Sequence, residues 1–201
     1  MNRNKPQIII LSIILLNGFA FAYTEADLAD INSKSRKIKS KAIMEISKEI
    51  DKKEAQDALL PLISADPDPA VRIGVMGLVA VANTAAVRDA IITRLADPVE
   101  EVRKEAASLL ANFSNDSLAV AELEKISRDQ TAGDDYRAVA IDSLATSVST
   151  RAVAALESAS KDKRNKVKLS AKNAIIRRTA VTVHSKTRKA AVRNKSAERK
   201  R

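Results

Sequence analysis

Between residues 34 and 178 apolar side chains recur every three or four positions, the period of a helix with one face turned to a core. The pattern itself repeats. Five segments begin at Ile38, Val71, Val102, Tyr136 and Val167, 31 to 34 residues apart. Each start is followed at once by a basic residue: Lys39, Arg72, Arg103, Arg137 or Lys168. Four positions on stands Ala42, Val75, Ala106, Ala140 or Ala171, and eight on stands Ile46, Val79, Leu110, Leu144 or Ile175. A second periodic segment follows each of the first four, with Leu60, Ile91, Leu123 and Leu156 each six residues before an aspartate, namely Asp66, Asp97, Asp129 and Asp162.

The unit this predicts is helix A, a tight turn, helix B, then an aspartate-containing turn into the next helix A, where Asp is a favourable N-cap. Helices A are expected over 34–49, 69–82, 98–113, 134–147 and 164–178, and helices B over 53–65, 84–96, 115–128 and 149–160. Thr131-Ala132-Gly133 lengthens one inter-repeat turn. A single short pair cannot bury its apolar faces, whereas stacked pairs share a seam. Composition agrees: the chain is 45% apolar but only 2% aromatic, so its core is aliphatic, which suits closely packed helices better than sheets.

The segments Asp66-Pro67-Asp68-Pro69-Ala70-Val71-Arg72 and Asp97-Pro98-Val99-Glu100-Glu101-Val102-Arg103 closely resemble the HEAT and HEAT-like repeat family. The resemblance spans about residues 33 to 178 and is strongest in these two copies. It implies an all-α protein, a right-handed α-solenoid of about four and a half helix pairs, with helices B lining the concave face. It also implies that the turn Asp and the following Arg are structural, laddering between repeats, here Asp66 with Arg72 and Asp97 with Arg103. The fourth copy departs, with Thr131 in the Asp position, and Pro61 departs by sitting inside a helix B, where it is expected to kink or shorten that helix. The fold carries no single biochemistry.

The start of the chain reads as an export address. Arg3 and Lys5 precede an apolar run from Ile8 to Phe19, then Ala20-Phe21-Ala22 supplies an A-x-A cleavage box. The 15 residues from Ile8 to Ala22 are shorter than the roughly 20 of a spanning helix. Cleavage after Ala22 is therefore expected over retention as an anchor, and a periplasmic or secreted location follows. The expected organisation is a signal peptide over 1–22, a repeat domain over 23–178 and a flexible basic tail over 179–201. Charge is divided accordingly. Residues 161–201 hold 16 Lys and Arg against two acids, whereas 23–160 hold 17 against 23.

Catalysis is not expected. The chain has no Cys and a single His, His184, in the basic tail, so thiolate metal sites, Cys nucleophiles and Ser-His-Asp triads are excluded or remote. No cofactor or metal ligand set is apparent. Charged residues expected on the exposed faces of helices B are Asp57, Arg88, Glu122, Lys125, Arg128, Arg151 and Glu157. Among them Arg88, Glu122, Lys125, Arg128 and Arg151 are the expected contacts to a protein partner in the cell envelope, Arg being a common hot-spot residue. The alternative acts through the tail, with Lys186, Arg188, Lys189, Arg193, Lys195, Arg199, Lys200 and Arg201 adhering to anionic lipid, lipopolysaccharide or a wall polymer. Nucleic acid is disfavoured by export and by the shortage of stacking aromatics. The oligomeric state is left open.

Overall fold

The computed structural model describes residues 22–179. The leader before Ala22 and the tail after Thr179, with its eight basic residues from Lys186 to Arg201, lie outside the described residues. The helices are α1 (Glu25–Asp30), α2 (Arg36–Ser47), α3 (Lys53–Ala65), α4 (Pro69–Val79), α5 (Ala85–Thr93), α6 (Glu100–Leu109), α7 (Ser117–Arg128), α8 (Asp134–Leu144), α9 (Thr150–Ala159) and α10 (165–179). No strand occurs among the described residues. From α2 onward, helices A and B alternate as the repeat predicts, and α1 is an additional helix. The fold is all-α and of the helical-repeat kind. Short 3₁₀ turns at Ala80–Ala82, Arg94–Ala96 and Leu110–Phe113 complete α4, α5 and α6.

The chain divides into two compact units, Met1–Ala82 and Asn83–Arg201. In the first, α1 opens with a capping box in which the Asp27 N–H donates to Thr24 Oγ1 and the Thr24 N–H to Asp27 Oδ2. Tyr23, Ile31, Ala42, Ile46, Leu59, Ile63 and Met76 are buried there. Pro61 does not shorten its helix, which runs the full 13 residues of α3. Pro61 and Asp57, the residue whose carbonyl it cannot serve, are both exposed, so the missing bond falls on the open side of the helix. Gly74 and Gly77 lie inside α4, and a Cβ at either would meet nothing within 4 Å. Gly74→Ala and Gly77→Ala are each expected to raise stability by about 0.5–1 kcal/mol, read from urea unfolding, because the helix then loses less backbone entropy.

The repeat register translates directly into burial. Val71, Val102, Tyr136 and Val167 are buried at the starts, Ala42, Val75, Ala106, Ala140 and Ala171 four on, and Ile46, Val79, Leu110 and Leu144 eight on. The exceptions lie at the two ends, where Ile38 is exposed and Ile175 half-buried. In the second unit helices B begin at side-chain caps: Thr84 accepts from the Val87 N–H, Asp116 from Leu118 and Ala119, and Ser149 from Ala152. Asn83 precedes the first of these at φ 49°, a left-handed turn that Asn tolerates.

The repeated aspartate is a turn acceptor rather than an N-cap. Asp66, Asp97, Asp129 and Asp162 each accept, through Oδ1, the N–H two residues on, at 2.8–3.0 Å. The residues that begin the next helices are Asp68, Val99 and Gly133. The expected ladder is also rearranged. Arg72 Nη1 donates to the main-chain oxygen of Asp66 at 2.8 Å, and Arg103 Nη1 to that of Asp97 at 2.7 Å. Two of the carboxylates face the basic residue of the preceding helix A, Lys39 meeting Asp66 and Arg137 meeting Asp162 at 2.5 Å, while Asp97 meets Arg94 at 3.4 Å. In the fourth copy the turn aspartate is not lost, since Asp129 makes the turn bond to the Thr131 N–H. There Arg103 lies over the Tyr136 ring, 5.9 Å from its centroid, and Tyr136 donates its hydroxyl to Leu95 O at 3.0 Å.

Helix α10 is held on α8 by charge. Arg164 pairs with Asp134 at 2.6 Å, Lys166 with Asp135, and Arg177 with Asp142 at 2.7 Å. Arg178 Nη1 donates to the carbonyls of Ala145 and Ser147 at the end of α8. Part of the basic charge counted from residue 161 is therefore turned inward, onto the repeat itself.

Candidate protein-binding surface

Helices α5, α7 and α9 of the second unit carry the charged residues expected to contact a partner. The structure gives them unequal roles. Arg88, on α5, is only 14% exposed in its side chain. Its Nη1 pairs with Asp116, and its Nε and Nη2 donate to Asp89 Oδ1 at 2.9 and 2.8 Å. These partners raise the Arg88 pKa above its ordinary value. Burial pushes the Asp116 carboxyl up, but the Ala119 N–H, Arg88 and the Leu118 N–H outweigh it, leaving that carboxyl below the usual range. Asp116 is also the cap of α7, so Arg88 fastens α5 to the start of the next helix B. It serves the stacking of helices more than their outer surface.

Further along, Arg128 and Arg151 converge on one carboxylate. Arg128 Nη1 lies 2.8 Å from Glu124 Oε1, one helical turn away on α7, and Arg151 Nε reaches across from α9 to Glu124 Oε2. Glu124 is buried, whereas the two arginine side chains are 55% and 59% exposed. Two guanidinium groups sharing one carboxylate leave a net positive spot with unused N–H donors turned to solvent. Lys125, the most exposed of the set, stands beside it and pairs loosely with Glu122 at 3.6 Å. Glu157 is exposed on α9 without an ion-pair partner among the described residues, and Asp57 lies in the first unit, paired with Lys53.

Sequence reading missed Glu124 and Asp116, the two acids that organise this surface. The first was signalled by its four-residue spacing to Arg128 and the second by its place just before an apolar helix. Among the described residues no group of three or more His, Cys, Asp or Glu is placed to hold a metal.

The architecture is an α-helical repeat fold, consistent with the HEAT-like resemblance of the sequence. A chain from the complex of CpcE and CpcF of phycocyanin lyase from Nostoc sp. PCC7120 is similar in fold, with a TM-score of 0.60 at 18% identity, over 85% of this chain and 70% of that one. A designed armadillo repeat protein is similar with a TM-score of 0.47 at 17% identity, over 74% of this chain and 79% of that one. The sequence matches no protein-family model and no curated protein.

Proposed function

We propose that this is an exported, non-catalytic binding protein of the cell envelope that uses the helix B surface of its second unit to hold a protein partner. The observation that carries this reading is the Arg128–Glu124–Arg151 cluster, with exposed guanidinium donors anchored on a buried carboxylate. Anchoring reduces the side-chain entropy lost on binding, which favours contact with a partner's carboxylates and main-chain carbonyls. A chain of similar fold is found in a complex of two proteins, which supports a protein partner for this one. Export rests on the leader: cleavage after Ala22 would deliver the repeat domain to the periplasm or beyond.

The test is cross-linking and affinity capture from the envelope fraction, comparing the native chain with a variant carrying Lys125→Gln, Arg128→Gln and Arg151→Gln. Glu124→Gln is added to the variant so that no buried carboxylate is left without its cations. Recovery of a discrete partner is then expected to fall about tenfold, while the melting temperature changes little. Arg88 is left intact, since its loss would loosen the α7 cap. Undiminished recovery would refute the assignment. A second reading rests on the charge of residues 161–201: the chain adheres to anionic lipid or polymer through its basic end. Replacing the eight basic residues from Lys186 to Arg201 with Gln would then abolish binding to anionic vesicles and leave partner capture unchanged.

A further inference from the structure

The last described helix has one face that packs inward and one that nothing among the described residues covers. Val167, Ala171 and Ala174 of α10 are fully buried. On the opposite side Leu169 and Ile176 are 60% and 64% exposed. They are seven residues apart, about 10 Å along the helix, with Lys172 and Asn173 between them on the same face.

Comparison with the other copies identifies what this face is. Lys172 stands five residues after its repeat start, where the earlier copies have Ile43, Met76, Ala107 and Ile141, all of them buried. A lysine at that position cannot be covered by another aliphatic repeat without stranding its ammonium. The substitution therefore disfavours a further aliphatic repeat, or a second copy, packing on this face as repeats pack within the chain. Yet two large aliphatic side chains remain beside that ammonium, which has no ion-pair partner among the described residues. Lys163 and Lys168 are likewise without one, and residues 163–179 contain no acid. An open cleft of about 260 Å³ between α9 and α10, lined by Val153, Leu156, Glu157, Ile175, Arg178 and Thr179, adjoins this helix on one flank, and its acid, Glu157, lies on α9 away from Leu169 and Ile176.

We infer that the outer face of α10 docks an acidic amphipathic helix of a partner protein. Two apolar side chains of that helix cover Leu169 and Ile176, and a carboxylate between them meets Lys172. The anchor spacing is that of a helix laid on a helix, and a single cation enclosed between two apolar residues addresses a carboxylate at one position. A bilayer surface would meet the same cations without selecting a carboxylate at one position, and the vesicle arm of the experiment separates the two.

The experiment uses the full chain and a fluorescein-labelled helical peptide with leucines one heptad apart and glutamates between them, followed by anisotropy. A counterpart peptide carries lysines in place of the glutamates. The native chain is expected to bind the glutamate peptide and to ignore the lysine one. Lys172→Glu should reverse that preference, moving each affinity by about tenfold or more. Leu169→Ser and Ile176→Ser should each weaken binding at any salt concentration. These positions are exposed, so circular dichroism should show the fold retained. Glutamate-peptide binding indifferent to Leu169→Ser and Lys172→Glu would overturn the inference. So would phosphatidylglycerol vesicles binding in its place with the same sensitivities, or a dimer that Leu169→Ser dissociates. Peptide binding seen only after the basic residues from Lys186 onward are replaced with Gln would mean that the chain's own tail occupies the face. Arg128→Gln and Arg151→Gln should leave this binding unchanged, which separates its failure from that of the helix B surface.

Discussion

Arg137→Ala is expected to cost the second unit about 3–5 kcal/mol of stability, the range for breaking a buried ion pair. Its melting temperature should fall by more than about 10 °C. The side chain is 1% exposed, the largest among the fully buried ones. It joins three elements: Nε and Nη2 donate to Ser127 O at the end of α7, at 3.0 and 2.8 Å, and Nη2 meets Asp162 in the turn before α10. Truncation strips the Asp162 carboxylate of its charged partner and the Ser127 carbonyl of both guanidinium donors. Nη1 has no hydrogen-bond partner among the described residues, so the guanidinium itself is incompletely satisfied. Removing both charges should therefore cost far less than removing one. Arg137→Met with Asp162→Asn keeps the Asp162 turn acceptor and is expected to recover most of the loss in a double-mutant cycle of urea midpoints.

The same pair gives a pH signature. Burial raises the Asp162 carboxyl, but Arg137, the Arg164 N–H and the Gln130 amide overcome that and bring it down to about 2. A carboxyl lowered in the folded state adds stability that is complete above its ordinary value near 3.8 and is lost as pH falls toward about 2. Asp116, Asp129 and Asp135 are lowered too, so the native chain should lose stability broadly in acid. The difference between native chain and Arg137→Ala reports chiefly on Asp162, with a smaller part from Asp129, and it should shrink across that window. A difference that stays constant down to the acid limit would assign the loss to packing instead.

The helices were legible because the repeat offers several copies of each signal. Boundaries fall within a few residues of expectation for every helix A and B, and the small residue four after each start is buried in every copy. Polar partners were less legible. Asp66 and Arg72 do lie together, yet the bond runs to a backbone carbonyl, which sequence spacing does not encode. The partners of the Asp66 and Asp162 carboxylates come from the preceding helix A, 25 to 27 residues away, and only the fold brings them close. The same limit applied to the candidate surface. A charged residue on a helix B reads alike whether it is exposed, as Arg151 is, or covered and paired, as Arg88 is. The short α1 escaped notice because six residues are too few to show a period.

Leu144→Ala is expected to cost about 2–5 kcal/mol, combining lost transfer free energy with the cavity left behind. Leu144 is fully buried at the end of α8, eight residues after the repeat start, and Ala140, one turn earlier, is fully buried as well. With Ala already setting a close approach of helices at one position, the aliphatic side chain eight after the start supplies the volume that the substitution removes. Ile175→Ala removes an aliphatic side chain of the same size at the equivalent position of the last copy. There the side chain is half-buried and lines the open cleft beside α9, so the site opens to water instead of forming a void. Its cost should be less than half as large. Urea unfolding of the two variants side by side decides the matter. Equal losses would mean that the cleft is closed in solution and that the stack extends past α10; unequal losses would place its end at that helix.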